Sequence, residues 1–188
     1  MEEISAISLP ILLSGIAVFV ASFLAWVVIG HHNPDWNELP DEGATIDLLQ
    51  KSGTKAGQYV FPMTRTKEQM ADDIKQQRLE SGPWGTVNVW ARPASIPRNL
   101  LQSFVFYLTT SLFVGYLGTL ALDPGASFSR VFQVTGTAGI LAYAFGGIPN
   151  AIWFGTHFRA ALMDVIDGIC FGLITGLIFA SMWPDAAP

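Results

Sequence analysis

Five side chains of types that bind metals or move protons are expected at one membrane face: His31, His32, His157, Asp164 and Asp167. Histidine nitrogens combined with carboxylate oxygens form ligand sets for zinc, iron and copper. The spacing matches no standard metal motif. His31 and His32 are adjacent and project to different sides, and neither an HxxxH nor an ExxH pair occurs. His31, His32 and His157 therefore form a metal-ligand set by residue type alone, and any cofactor, including a metal ion, stays unidentified.

Asp164 and Asp167 are the only charges in the apolar stretch 160–183. An ionisable group inside a membrane helix is costly and is by default a functional candidate. Asp164 shares the four-residue stripe of Gly168, Gly172 and Gly176, which aims it into a helix interface. Asp167 sits about 60° round the helix from it. A structural role weighs more heavily, because both acids fall in the first two helical turns. A helix N-terminus stabilises acids there by about 0.3–1 kcal/mol. Arg159, Arg98 or Arg92 could pair with them, so Asp164, Asp167 and Arg159 form a candidate polar cluster.

No motif for catalysis is present: the chain has no GxSxG, P-loop, GxGxxG or zinc-protease pair. Cys170 is the single cysteine, which excludes an intramolecular disulfide and a cysteine metal cluster. The net charge of -5 and the lack of a basic stripe argue against a nucleic-acid partner.

The elements that must position these residues are apolar. Stretches 4–29, 100–122 and 131–148 contain no charge, and 160–183 contains only the two aspartates. A bilayer core about 30 Å thick needs about 20 apolar residues in a helix. The charged fraction is 13%, against about 25% for a soluble domain. The reading is an all-α membrane protein with four transmembrane helices and a small α/β cytoplasmic insert. Residues 1–30 hold the first helix, 31–99 the insert and 100–188 the other three. Glu2 and Glu3 make the leader acidic where a signal peptide is positive, so the first helix is expected to be retained.

Four spans put both termini on one side. Arg130 is the only basic residue expected there, and the other nine Lys and Arg residues fall on the opposite side. The positive-inside rule then predicts a cytoplasmic insert and non-cytoplasmic termini, in a bacterial inner membrane.

Within the insert, acids follow Pro40 and Gly53 follows Lys51, which predicts a helix over 41–52. Thr66 followed by Gln69 predicts a capping box and a helix over 67–80. Segments 58–61 and 86–90 read as strands, and the helix between them allows parallel pairing. So small an insert is expected to lean on the membrane-facing loops or on a partner.

Small residues line one face of each span at four-residue spacing: Ala17, Ala21 and Ala25; Ser111, Gly115 and Thr119; Gly139 and Gly147, with Tyr143 between them; and Gly168, Gly172 and Gly176. Such stripes let helix backbones approach closely where the hydrophobic effect cannot drive association. The glycines of the last stripe are the packing residues expected with most weight.

The runs HHNPDWNELPDE at 31–42, GQYVFP at 57–62 and IWFG at 152–155 resemble a group of small uncharacterised bacterial four-helix membrane proteins. The resemblance implies a membrane location and this topology, and it implies no reaction. The expected function is a non-catalytic membrane subunit or scaffold, with lipid, other membrane proteins or a second copy of the chain as partners. The alternatives are ion or proton handling through Asp164 and Asp167, and a metal-dependent membrane enzyme.

Overall fold

A computed structural model of the chain describes residues 5–186. Four helices have the length and composition to cross a membrane: span 1 (Ser8–Ile29), span 2 (Ile96–Ala121), span 3 (Phe128–Phe154) and span 4 (Phe158–Ser181). Two units result: Met1–Trp36 with Ser95–Ile152 and Thr156–Pro188, and Asn37–Ala94 with Trp153–Gly155. His31 and His32 therefore fold with the bundle and not with the insert.

Span 1 changes character at its end. The α-helix Ser8–Phe23 continues as a π-helical segment, Leu24–Ile29, and Gly30 stops it in the left-handed region at φ 65°. A side chain at Gly30 would be strained there. The chain then doubles back through a short 3-10 turn, Asn33–Asp35. Span 3 contains a second π segment, Leu141–Phe145. Such bulges are rare and often mark functional sites. Both lie toward the end of the bundle from which the insert emerges.

The glycines of span 4 are used inside the chain. A Cβ on Gly168 would lie 2.5 Å from the Ala144 Cα, and one on Gly176 would lie 2.7 Å from the Gly136 Cα. A Cβ on Gly172 would overlap the Ile140 backbone nitrogen. Spans 3 and 4 therefore meet backbone to backbone, and only glycine permits it. In span 3 the contact residues are Gly136, Gly139 and Ala144. A Cβ on Gly147, which was expected in the stripe, would meet nothing within 4 Å. In span 1 a Cβ on Gly15 would lie 3.1 Å from the Leu108 Cα, and Ala17 and Ala21 are only half-buried. The core of this unit is Ile7, Val114, Leu122, Val131 and Phe179.

In the insert, Asp41 caps the helix Glu42–Lys51 by accepting from the Ala44 N–H at 2.9 Å. The helix expected over 67–80 is instead two, Lys67–Met70 and Asp73–Ser81. Asp72 takes an extended conformation and accepts from the Lys75 N–H at 3.1 Å, which starts a new helix. The parallel pairing is also corrected. Strands β1 (Gly57–Phe61) and β2 (Gly85–Val89) are antiparallel, with Gly57 opposite Val89 and Phe61 opposite Gly85. The broken helix fills an elaborated hairpin loop, so it does not carry the chain back to the start of β1, as a parallel crossover must.

Candidate functional site

The turn after span 1 and the third turn of span 4 supply the site. Gly30 reverses the chain, so His31 and His32 lie beside Asp167 of span 4. The His31 Nε2 is 3.1 Å from Asp167 Oδ1, and the His32 Nε2 is 3.2 Å from Asp167 Oδ2. One nitrogen from each histidine and one oxygen of Asp167 lie within 4.8 Å of one another, the reach of a single ion.

His32 is held most firmly. It is 2% exposed and its ring stacks on Trp26, with centroids 3.8 Å apart and planes 11° apart. Its Nδ1 lies 3.1 Å from Asp35 Oδ2. Asp35 in turn receives Arg159, whose other guanidinium nitrogen donates to the His31 carbonyl at 2.8 Å. Burial pushes the Asp35 carboxyl up, but hydrogen bonds and charge from Arg159 and His32 outweigh it and hold the group below its ordinary value of 3.8. An ionised carboxylate only accepts, so the proton of this hydrogen bond sits on the His32 Nδ1. The opposite nitrogen, Nε2, is thereby directed at Asp167. Asp35 thus holds the position that outer carboxylates take beside metal-binding histidines, whose tautomer they fix.

The His31 Nε2 is buried and lies 3.1 Å from Asp167 Oδ1, an ion-pair distance at an angle that does not suit a hydrogen bond. A buried polar atom without a partner is rare and needs an explanation. Spacing offers one. Two donors each about 2.1 Å from one ion are about 3.0 Å apart at a right angle and about 3.4 Å apart at the tetrahedral angle. Both nitrogen–oxygen separations, each to a different oxygen of Asp167, fall in that interval, which direct histidine–aspartate pairing also occupies.

The other expected site residues lie elsewhere. His157 is the exposed residue that precedes the first turn of span 4, and it is not part of the group. The three-histidine set is therefore replaced by two histidines and an aspartate. Asp164, expected to face inward, is exposed, whereas Asp167 is buried at 8%. The reason is the partner helix. Span 3 packs on span 4 as far as Ala144 and Gly168, and a Cβ on Gly146 or Gly147 would meet nothing. One turn further along, span 3 no longer covers Asp164. Arg159 joins the site through Asp35, and no ion pair links it to Asp164 or Asp167 among the described residues. Asp35 was not anticipated. Its signal is the position three residues after His32, within a turn started by Pro34.

No protein-family model matches the chain, and no curated protein or solved structure is similar to it.

Proposed function

We propose that this is a multi-pass membrane protein that binds one divalent first-row transition-metal ion through His31, His32 and Asp167. The observation that carries this reading is the buried His31 Nε2, which faces a carboxylate oxygen without a hydrogen bond. Two histidines and one carboxylate leave coordination positions open for water or a substrate, as catalytic zinc and non-haem iron sites do. The nine-to-one distribution of basic residues supports a cytoplasmic location for the metal-binding end and the insert, with the termini on the other side.

The scaffold reading has less support. One of its grounds, the small-residue helix faces, is weakened in span 4, where the glycine stripe is covered by span 3 of the same chain.

The test is metal analysis of the full chain, purified in mild detergent, stripped with a chelator and reloaded with cobalt(II) or zinc. One ion per chain is expected, with a cobalt absorption spectrum typical of nitrogen and oxygen ligands. His31→Ala and Asp167→Asn should lose the ion, and His157→Ala should keep it. A chain that takes up no ion, or keeps it in both of the first two variants, overturns the reading.

A further inference from the structure

No described residue from 37 to 94 is buried. The insert nevertheless holds two capped helices and a paired hairpin. A two-stranded hairpin is marginal in water, and it gains stability from further strands or from packing against another apolar element. Here the strands pack on each other and only marginally on any helix. The hairpin therefore lacks a cover within the insert.

One of its faces is apolar. Side chains alternate along a strand. The register puts Tyr59 opposite Val87, Phe61 opposite Gly85 and Gly57 opposite Val89 on that face. The other face pairs Gln58 with Asn88 and Val60 with Thr86. The glycines let the aromatic rings lie across the first face. A Cβ on Gly85 would be 2.9 Å from the Phe61 Cζ, and one on Gly57 would be 3.6 Å from the Tyr59 Cε2. Tyr59 and Phe61 remain 39% and 40% exposed. The Tyr59 hydroxyl donates to the Lys55 carbonyl at 2.8 Å, so the ring can leave water without stranding a donor. An antiparallel pair with one apolar and one polar face belongs between apolar material and water.

Three features identify the apolar material as lipid. First, the insert is joined to a membrane span at each end. Val89 is seven residues from Ile96, and at no more than about 3.6 Å per residue it stays within about 25 Å of the start of span 2. Second, the compact unit that holds the insert also includes Trp153–Gly155, where span 3 ends. Third, Trp84, Trp90 and Trp153 of this unit are largely exposed, and tryptophan concentrates at the boundary between bilayer and water. Charge selects no other partner. Residues 37–94 carry seven basic and eight acidic side chains, which favours neither an anionic membrane nor a charged protein surface.

We infer that the hairpin face of Tyr59, Phe61, Val87 and Val89 lies in the bilayer interface against zwitterionic phospholipid, with Gln58, Thr86 and Asn88 toward water. The insert is a membrane-surface element and not a free-standing domain.

The test leaves the metal-binding residues untouched. The exposed Cys170 is replaced by alanine, and Thr86→Cys, Val87→Cys, Asn88→Cys and Val89→Cys are each introduced singly into the full chain. Each cysteine carries a nitroxide, and the protein is reconstituted in phosphatidylcholine nanodiscs. Power-saturation spectroscopy then compares collisions with oxygen, which concentrates in lipid, and with chromium oxalate, which stays in water. The oxygen-to-chromium ratio should be several-fold higher at Val87 and Val89 than at Thr86 and Asn88, in the two-residue alternation of a strand. Tyr59→Cys, opposite Val87, reads the same face if Val87→Cys does not fold. Four sites equally open to chromium oxalate would place the hairpin in water. Protection of Val87 and Val89 from both reagents would place a protein surface against them. Either result overturns the inference.

Discussion

His32 and Asp167 are 135 positions apart and meet through Nε2 and Oδ2 at 3.2 Å. The contact joins the turn after span 1 to span 4, which also packs on span 3 through the glycine seam and on span 1. With Asp35 holding a proton on Nδ1, Nε2 serves Asp167 either by donating a second proton or through a cation held between the two. A proton or a metal ion can fill that role, and the unpartnered His31 nitrogen beside it favours the larger cation.

Asp35→Asn should weaken metal binding without abolishing it. The amide oxygen can still accept from the His32 Nδ1, but the charge that attracts Arg159 is lost. Removing an outer carboxylate of this kind costs about 10–100-fold in metal affinity. Competition titration against a chromogenic chelator measures it, with His157→Ala as the unaffected control.

Acid should destabilise the metal-free protein through Asp35. Its folded-state value lies below the ordinary 3.8. The stability it contributes is therefore present above that value and is lost as pH falls through the lower, folded one. Arg159→Ala removes the chief group that lowers it, so the loss should begin at higher pH. Thermal melts of both proteins between about pH 6 and pH 3 decide the matter. Identical acid limbs would mean that Arg159 does not hold Asp35 ionised.

The spans were legible because apolar runs of about 20 residues have few other uses. The glycine stripe at 168, 172 and 176 was legible because small residues at four-residue spacing identify a close helix face. What that face met was not, since a stripe looks the same whether its partner is span 3 or another chain. Helical arithmetic alone misassigned Asp164. It gives direction round the helix but not where the neighbouring helix stops, and span 3 leaves span 4 after Ala144. His31 and His32 carried no motif because their convergence depends on Gly30 and the π segment before it. Asp72 was overlooked as a cap because it falls inside a run that otherwise reads as one helix.

Replacing Gly172 with Leu should destabilise the bundle, because the new side chain would overlap the backbone of Ile140. Overpacking of this kind costs about 1–3 kcal/mol, and more where backbones touch. Gly147→Ala is the control, since a Cβ there meets nothing within 4 Å. Thermal stability in detergent should fall for the first and hold for the second. Equal behaviour would mean that spans 3 and 4 do not pack through this seam.

Reporter fusions should give a cytoplasmic signal within residues 51–57 and a non-cytoplasmic one at the C-terminus, following the nine-to-one charge asymmetry. A cytoplasmic C-terminus would invert the proposed orientation and move the metal-binding end to the other face.

The two histidines should separate binding from folding. His31 is half-buried and meets Asp167 without a hydrogen bond, so His31→Ala should abolish metal binding and leave the melting temperature of the chelator-treated protein nearly unchanged. His32 bridges Asp35 and Asp167 and stacks on Trp26. His32→Ala strips both carboxylates of a partner, and a buried group left unpaired costs about 1–3 kcal/mol, more when charged. It should therefore lose the ion and also lower the melting temperature of the metal-free protein. Circular dichroism melts of the two variants after chelation, beside cobalt titrations, give both readings. Equal melting temperatures would show that His32 contributes nothing to the fold beyond the metal. An ion retained by His31→Ala would remove the nitrogen on which the metal reading rests.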